Sequence, residues 1–145
     1  SYGRKEVLGN SGTPSSPPEN SLLAALPADL RAVMKPVTKY SDNHCGKLDI
    51  ASYVTETTDY LFNLSEFEFY GVRSNANSAE KNFQLQYAYY KAGNSEVKYK
   101  HDETEKVAYQ WTRSVYSTSV YGFCTIGPAS SNANYSWGMA PGFAV

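Results

Sequence analysis

The first part of the chain carries a helical pattern of apolar residues. They recur at spacings of three and four positions, which places them on one helix face that would pack against the core. These residues are Leu26, Leu30, Val33 and Met34. Asn20 and Ser21 are both good N-cap residues, and Pro27 suits the first position of a second helix. Pro36 should end that helix, because the residue before a proline avoids helical backbone angles. The pattern therefore predicts two short helices.

Compact or alternating apolar runs predict strands further along the chain. The strand candidates are residues 37–40, 60–64, 109–114 and 120–126. Residues 50–58 are polar and β-branched and predict a loop or an irregular strand, whereas residues 96–102 predict an exposed strand or hairpin arm. Residues 83–90 fit either one or two helical turns or a strand whose apolar residues, at odd-numbered positions, share one face.

A capping box marks the start of one more helix. The Ser65 hydroxyl and the Glu68 carboxylate can each accept a hydrogen bond from the other residue's backbone N–H. The short helix should end at Gly71, because glycine readily adopts the left-handed conformation that closes helices. We expect Arg113 to form a two-pronged bond with Glu66 or Glu68, which would tie its strand to this helix.

Length, composition and charge predict one folded domain with a polar arm. The chain has 145 residues, of which 41% are hydrophobic and 19% charged, as in a globular protein that buries a core. Residues 1–19 are rich in Gly, Ser and Pro and predict a flexible arm or linker, so the domain should span residues 20–145. A net charge of −1 offers no basic field for nucleic acid. No apolar run approaches the roughly 20 residues that a membrane-spanning helix needs. We therefore expect neither nucleic-acid binding nor membrane insertion.

The cysteines and histidines give little support for metal or catalytic chemistry. Cys124 lies in an apolar strand candidate and is expected to be a buried thiol, whereas Cys45 lies in a polar turn beside His44. Whether the two cysteines pair is left open by the sequence. Because no second pair of residues at ligand spacing accompanies His44, the sequence predicts no metal site and no cofactor. Nucleophile, phosphate-binding and zinc motifs are missing from the sequence, which favours a protein that is not an enzyme.

Tyrosine is the unusual residue of this composition, with 13 copies. Its wide ring and hydroxyl make it, with Ser, Gly and Asn, typical of surfaces that contact other molecules. The alternative is that tyrosines simply line sheets, where they are favoured. Binding is the better interpretation after Trp111, since the sequence from Ser114 to Val145 carries no charge and is rich in hydroxyls and amides.

Four motifs occur in a distinctive order, LPADLR at 26–31, DYLFNLSEFE at 59–68, WTRS at 111–114 and the ending GMAPGFAV at 138–145. In order and spacing the chain resembles, over about residues 20–145, a C-type-lectin-like family of phages, prophages and gut bacteria. That family is related in fold to the variable proteins of diversity-generating retroelements, including phage tail receptor binders, and to formylglycine-generating enzyme. The resemblance implies an α+β fold of C-type-lectin-like type, with two short helices packed on small antiparallel sheets and much loop.

The chain departs from this family at its start. Family members carry a strand and a tryptophan-containing segment before the paired helices, whereas only residues 1–19 precede them here. Proteins rarely leave a sheet edge uncovered. We therefore expect this chain to be the C-terminal piece of a longer protein, or to dock on another virion or parent-protein segment that completes the sheet.

The resemblance also implies a binding surface. In the related retroelement proteins, side chains on the terminal strands and loops face solvent and contact the ligand. The matching residues here are Tyr116, Ser117, Thr118, Ser119, Tyr121, Ser130, Ser131, Asn132, Asn134, Tyr135 and Ser136. In such a fold, Trp111 and Trp137 are expected to anchor the core rather than to serve as ligand platforms.

The expected function is recognition of a host-surface protein or glycan, at a virion surface or outside the cell. Three alternatives stay open. In the first, the loops are ordinary polar turns without a binding role, because Ser and Asn favour turns in any protein. The chain is a structural virion or decoration protein that uses the fold for assembly. The chain is a divergent enzyme of the formylglycine-generating type, which would need Cys45 and Cys124 to meet in an open cleft.

Overall fold

The computed structural model shows a mixed α+β chain with short helices and two small antiparallel sheets, as the sequence predicts. It describes residues 3–44, 49–73, 75–95, 110–118, 122–126, 131–132 and 137–145. Contacts divide the chain into two compact units. Unit 1 contains Tyr40–Thr55 and Asn63–Ala140, and unit 2 contains Gly3–Lys39, Glu56–Phe62 and Pro141–Val145. In these described ranges, no helix is long and apolar enough to cross a membrane.

Two short helices lie in unit 2, close to where the sequence predicts them. Helix α1 spans Leu22–Ala25, and the Ser21 hydroxyl caps it by accepting a hydrogen bond from the Ala24 N–H at 3.2 Å. Helix α2 spans Ala28–Val33. Pro27 occupies its N-cap position, one residue before the position that the sequence suggests.

The predicted buried face of α2 is wrong. No residue of this helix is buried, and Val33 is 54% exposed. Leu26 and Leu30 are half-buried, and the fully buried residues nearby are Leu23 in α1 and Met34 after α2. The helix forms where the spacing predicts it, but it lies at the surface of its unit. The side that borders a cavity is the one with Ala28, Arg31 and Ala32.

The N-terminal segment, expected to be a flexible arm, belongs to unit 2. Leu8 is 1% exposed, and its carbonyl accepts the N–H of Leu23 at 3.2 Å. The Arg4 guanidinium forms an ion pair with Asp59 and donates to the carbonyl of Thr58 at 3.0 Å. A composition rich in Gly, Ser and Pro thus conceals one apolar anchor and one buried ion pair.

A two-stranded sheet follows the helices. Strand β1 spans Val37–Asp42 and strand β2 spans Val54–Asp59, with one turn of 3-10 helix at Ala51–Tyr53 before β2. The strand predicted at 37–40 is confirmed. Of residues 50–58, for which the sequence predicts a loop or an irregular strand, only the part from Val54 onward is strand.

The strand predicted at residues 60–64 is wrong, although the run is buried. Leu61 is 1% exposed and Phe62 is 7% exposed, yet Phe62 makes a single bridge, to Gly142, through N–H···O bonds of 3.1 and 2.8 Å. The Asn10 side chain binds the other backbone groups. Its oxygen accepts from the N–H of Tyr60 and Leu61, and its amide donates to the carbonyl of Leu61. These bonds take the place of a strand partner.

A three-stranded antiparallel sheet in unit 1 confirms both C-terminal strand predictions. Strand β3 spans Gln110–Val115, β4 spans Gly122–Ile126 and β5 spans Ser131–Asn132, in the order β3-β4-β5. All of β3 is buried, and Trp111 is 3% exposed, as expected of a core anchor. Cys124 is fully buried and its thiol contacts the Val115 carbonyl at 3.6 Å, which confirms the predicted buried thiol. Cys45 lies outside the described residues.

Helix α3 in unit 1 forms as its capping box predicts. It spans Glu66–Tyr70, with the Ser65 hydroxyl accepting the Glu68 N–H at 3.1 Å and Glu68 accepting the Ser65 N–H at 2.9 Å. Gly71 closes the helix with a φ of 71°.

Residues 83–90 do not form the alternative strand, and the side of this segment that carries the apolar residues is exposed. A 3-10 helix at Ser78–Asn82 precedes it, and helix α4 spans Ala88–Lys91. The apolar residues at odd positions face outward. They are Phe83, Leu85, Tyr87 and Tyr89, of which Leu85 is 85% exposed. The glutamines between them turn inward because their amides satisfy backbone carbonyls. Gln84 donates to Tyr40 at 2.7 Å and Gln86 donates to Phe69 at 2.8 Å.

Replacing Gly71 with alanine should cost more stability than replacing Gly93. Both glycines have a positive φ, of 71° and 80°, so each alanine incurs a left-handed backbone penalty of about 1 kcal/mol. A Cβ at Gly71 would also meet the Gln86 side-chain oxygen at 2.8 Å, whereas a Cβ at Gly93 meets nothing within 4 Å. Urea unfolding of both variants measures the difference. Equal losses would show that Gln86 moves away freely.

Candidate functional site

The three strands of the C-terminal sheet bring the polar turn after β3 and the short strand β5 together at one end. The N–H of Tyr116, just after β3, donates to the Gly122 carbonyl at 3.0 Å, and Gly122 pairs with Asn132 of β5. The ends of all three strands therefore lie side by side. Tyr116 is half-buried, whereas Thr118 and Asn132 are exposed. We call this group of Tyr116, Thr118 and Asn132 the sheet end.

The predicted site residues have different outcomes. Tyr116, Thr118 and Asn132 are at the sheet end, and Ser131 of β5 pairs with Phe123 of β4. Ser117 does not face solvent as expected. It is 1% exposed, and its N–H donates to the Asn75 carbonyl at 2.9 Å, which draws this residue of the turn inward. The remaining candidates lie outside the described residues; they are Ser119, Tyr121, Ser130, Asn134, Tyr135 and Ser136.

A buried carboxylate of α3 holds the loop to which Ser117 is attached. Glu66 is 2% exposed and accepts the N–H of Asn75 at 3.1 Å and of Ala76 at 2.8 Å. Its own N–H donates to the Ser114 hydroxyl of β3 at 3.2 Å. Glu66 thus fixes both β3 and the loop that bonds Ser117, so the turn bearing Thr118 has a rigid base.

The other glutamate named by the sequence, Glu68, is the partner of Arg113. The Arg113 guanidinium forms a buried ion pair with Glu68 through Nη1, which also donates to the Asn63 carbonyl at 3.1 Å. Its Nε donates to the Tyr40 carbonyl at 3.2 Å, and its backbone N–H donates to Leu64 at 3.0 Å. Arg113 therefore connects β3 to α3, to the segment before α3 and to β1.

Two more buried carboxylates lie behind β3. Glu80 accepts the Ser114 hydroxyl at 2.7 Å and the Asp42 N–H at 2.9 Å. Asp42 accepts the Asn77 side-chain amide at 3.0 Å and the His44 N–H at 2.8 Å. Burial raises the pKa of Glu80 to about 7 and also raises the pKa of Asp42.

This polar network supports the sheet end. Each carboxylate named above is buried and hydrogen-bonded to the protein. Within the described ranges, no three His, Cys, Asp or Glu side chains are placed to hold a metal ion. What the described part of the sheet end offers is a hydroxyl, an amide and an aromatic ring beside a hydrogen-bonded turn, which suits contact with another molecule.

Comparison with protein-family models, with curated protein sequences and with solved structures finds no match for this chain. The C-type-lectin-like resemblance therefore rests on the sequence motifs alone.

Sequence reasoning did not foresee the roles of Glu80 and Asp42. Nothing close to either residue in the chain signals that it is buried. The available signal is Ser114, a hydroxyl in a strand whose every residue is buried, since a buried hydroxyl requires a polar partner.

Replacing Arg113 with lysine should lower the free energy of unfolding by about 2–4 kcal/mol, because one ammonium group cannot serve the same acceptors as the guanidinium fork. The matched control is Arg73→Lys, whose ion pair with Asp49 is about one-third exposed. That change should stay within about 0.5 kcal/mol of the wild type. Urea unfolding measures both. Equal stability of Arg113→Lys and the wild type would refute the anchoring role.

Replacing Glu80 with glutamine should remove part of the pH dependence of stability. The carboxyl has an ordinary pKa of 4.5 and a folded pKa of about 7, so the unfolded chain releases a proton that the folded chain keeps. The contribution of Glu80 to wild-type stability should therefore fall as the pH rises from 4.5 to about 7 and then level off. Over that range Glu80→Gln should gain up to about 3 kcal/mol relative to the wild type. Urea unfolding at pH 5 and pH 8, with the exposed Glu19→Gln as control, measures the gain. A difference independent of pH would contradict the assignment.

Proposed function

We propose that this chain is a C-type-lectin-like recognition module, displayed on a phage particle or a bacterial surface, that binds a host-surface protein or glycan through the sheet end. The observation that carries the proposal is the attachment of the turn after β3. Ser117 is drawn inward to Asn75, while its neighbours Tyr116 and Thr118 remain half-buried and exposed.

Rigidity at this place favours binding. A side chain that is already held in position loses little conformational entropy when a partner docks on it. Ser117 holds the turn through its bond to Asn75, and Arg113 holds the adjacent strand β3. Glu66 in turn holds the loop that contains Asn75. Loops that carry contacts on a firmly packed scaffold are the usual arrangement in recognition domains.

The chemistry at the sheet end favours a neutral ligand surface. Thr118 and Asn132 offer a hydroxyl and an amide, each of which both donates and accepts hydrogen bonds, and Tyr116 adds an aromatic ring. Such groups suit the hydroxyls of a sugar as well as the backbone of a protein. The motif resemblance to the C-type-lectin-like family, which is related in fold to phage tail receptor binders, supports the same interpretation.

One observation favours the second candidate, a structural virion or decoration protein. Leu85 and Tyr89 in unit 1 are 85% and 55% exposed, and apolar groups of this size are often covered in an assembly. For the third candidate, the divergent enzyme, the buried position of Cys124 offers no support.

Lysine substitution at the sheet end tests the proposal. The fluorescently labelled chain and its Thr118→Lys and Asn132→Lys variants are applied to a glycan array and to a panel of intact bacteria, with and without protease treatment of the cells. We expect each substitution to reduce binding at least tenfold, because a charged, longer side chain disturbs a neutral contact surface. The matched control is Thr38→Lys, at a threonine of β1 in unit 2 that is exposed as well.

Light scattering of the same samples separates recognition from assembly. Loss of binding with unchanged molecular mass supports recognition. A wild-type oligomer that Thr118→Lys dissociates would favour the assembly role, and unaltered binding by both sheet-end variants would reject the proposed surface.

A further inference from the structure

Unit 2 contains a cavity that the proposed function does not use. Its volume of about 540 Å³ lies within the range of roughly 300–1,000 Å³ that small-molecule sites occupy. Helix α2 contributes Ala28, Arg31 and Ala32, which share one side of the helix at spacings of three and four. Residues 13–15 and Tyr60 line the cavity as well.

The loop that forms one wall of this cavity is firmly held. Thr13 and Ser16 exchange two backbone hydrogen bonds, of 3.2 and 3.0 Å, and the Thr13 hydroxyl also accepts the Ser16 N–H at 3.2 Å. The hydroxyls of Thr13 and Ser15 lie 3.1 Å apart, within hydrogen-bond distance. A wall with this many internal bonds is formed before any ligand arrives.

Arg31 is the unusual member of the lining. Its Nε is buried and has no hydrogen-bond acceptor among the described residues, and none of the described ion pairs includes it. Asp29 does not compensate it, since this carboxylate accepts the Leu30 N–H at 2.9 Å and residues two apart on a helix do not face each other. Arg31 is also the sole Lys, Arg, Asp or Glu among the described residues that line the cavity.

We propose that this cavity is a binding site for a carboxylate that carries an apolar group, with Arg31 as its anchor. A planar guanidinium matches a carboxylate through two parallel hydrogen bonds, and one positive charge neutralises one carboxylate. The alanines of α2, together with Met34 and Pro36, provide apolar surface for the rest of the ligand. A bound carboxylate would also give the buried Nε–H the acceptor that it lacks.

Titration of the intact chain with 3-phenylpropionate tests the proposal, followed by the amide NMR signals of Ala28 and Ala32 and by the Nε–H signal of Arg31. We expect saturable shifts at these three residues. The uncharged analogue 3-phenylpropanamide should bind at least tenfold more weakly. Equal affinity for acid and amide, or no saturable shift at all, would overturn the proposal.

Three variants localise the effect. Arg31→Gln should weaken 3-phenylpropionate at least tenfold, and Ala32→Trp should block it by filling the cavity from an exposed helix position. Lys35→Gln removes the same charge from an exposed residue outside the lining and should change the affinity less than twofold. Unchanged binding by either of the first two variants would place the carboxylate elsewhere, and equally strong binding of inorganic phosphate would contradict a carboxylate site.

Two sources can supply such a carboxylate, a free organic acid or the C-terminus of a polypeptide. The tripeptide Gly-Gly-Phe is therefore compared with its C-terminal amide. Tighter binding of the free tripeptide than of 3-phenylpropionate assigns the site to peptide C-termini, and weaker binding assigns it to small acids. Discrimination against the tripeptide amide supports the carboxylate requirement, and its absence contradicts it.

Discussion

The burial of the Arg113 charge is the constraint on which unit 1 depends. A guanidinium removed from water must find acceptors, and here they are the Glu68 carboxylate and the carbonyls of Asn63 and Tyr40. Glu68 also caps α3 by accepting the Ser65 N–H. The Glu68 carboxylate therefore caps the start of α3 and neutralises the charge of Arg113 in β3, so the same group positions both elements. Because Tyr116 directly follows β3, this shared contact also helps to fix the position of the sheet end.

The elements that sequence reasoning predicts well are those whose signal is local. The capping box lies within four consecutive residues, β3 contains residue types that favour strands, such as Trp111, Thr112 and Val115, and β4 is mostly apolar. The failures come from distant partners. Asn10 binds the backbone of residues 60–61 and leaves them without a strand, and Gln84 and Gln86 turn inward to carbonyls remote in sequence. Alternation reveals that two faces differ, but it does not tell which face the protein buries.

The candidate sites follow the same rule. Composition identified a turn of hydroxyl and aromatic groups after β3, but the inward direction of Ser117 depends on Asn75, a residue of another loop. The sequence does not predict the Arg31 cavity, because its walls come from residues 13–15, α2 and Tyr60, which only the fold brings together. A cation flanked by two alanines on one helix side was the available sign, since small side chains leave room beside a charge.

The bridge between Phe62 and Gly142 makes the completion of unit 2 depend on a contact between distant parts of the chain. Both of its hydrogen bonds, and the one from Lys35 to the Ala144 carbonyl, join residues that are far apart in the sequence. An emerging chain cannot close unit 2 on the ribosome until these residues have left it, whereas α1 and α2 can form as soon as they appear. Until then Phe62 lacks its native backbone partner, so unit 2 can begin with its local helices but is completed only when residues 141–145 reach it.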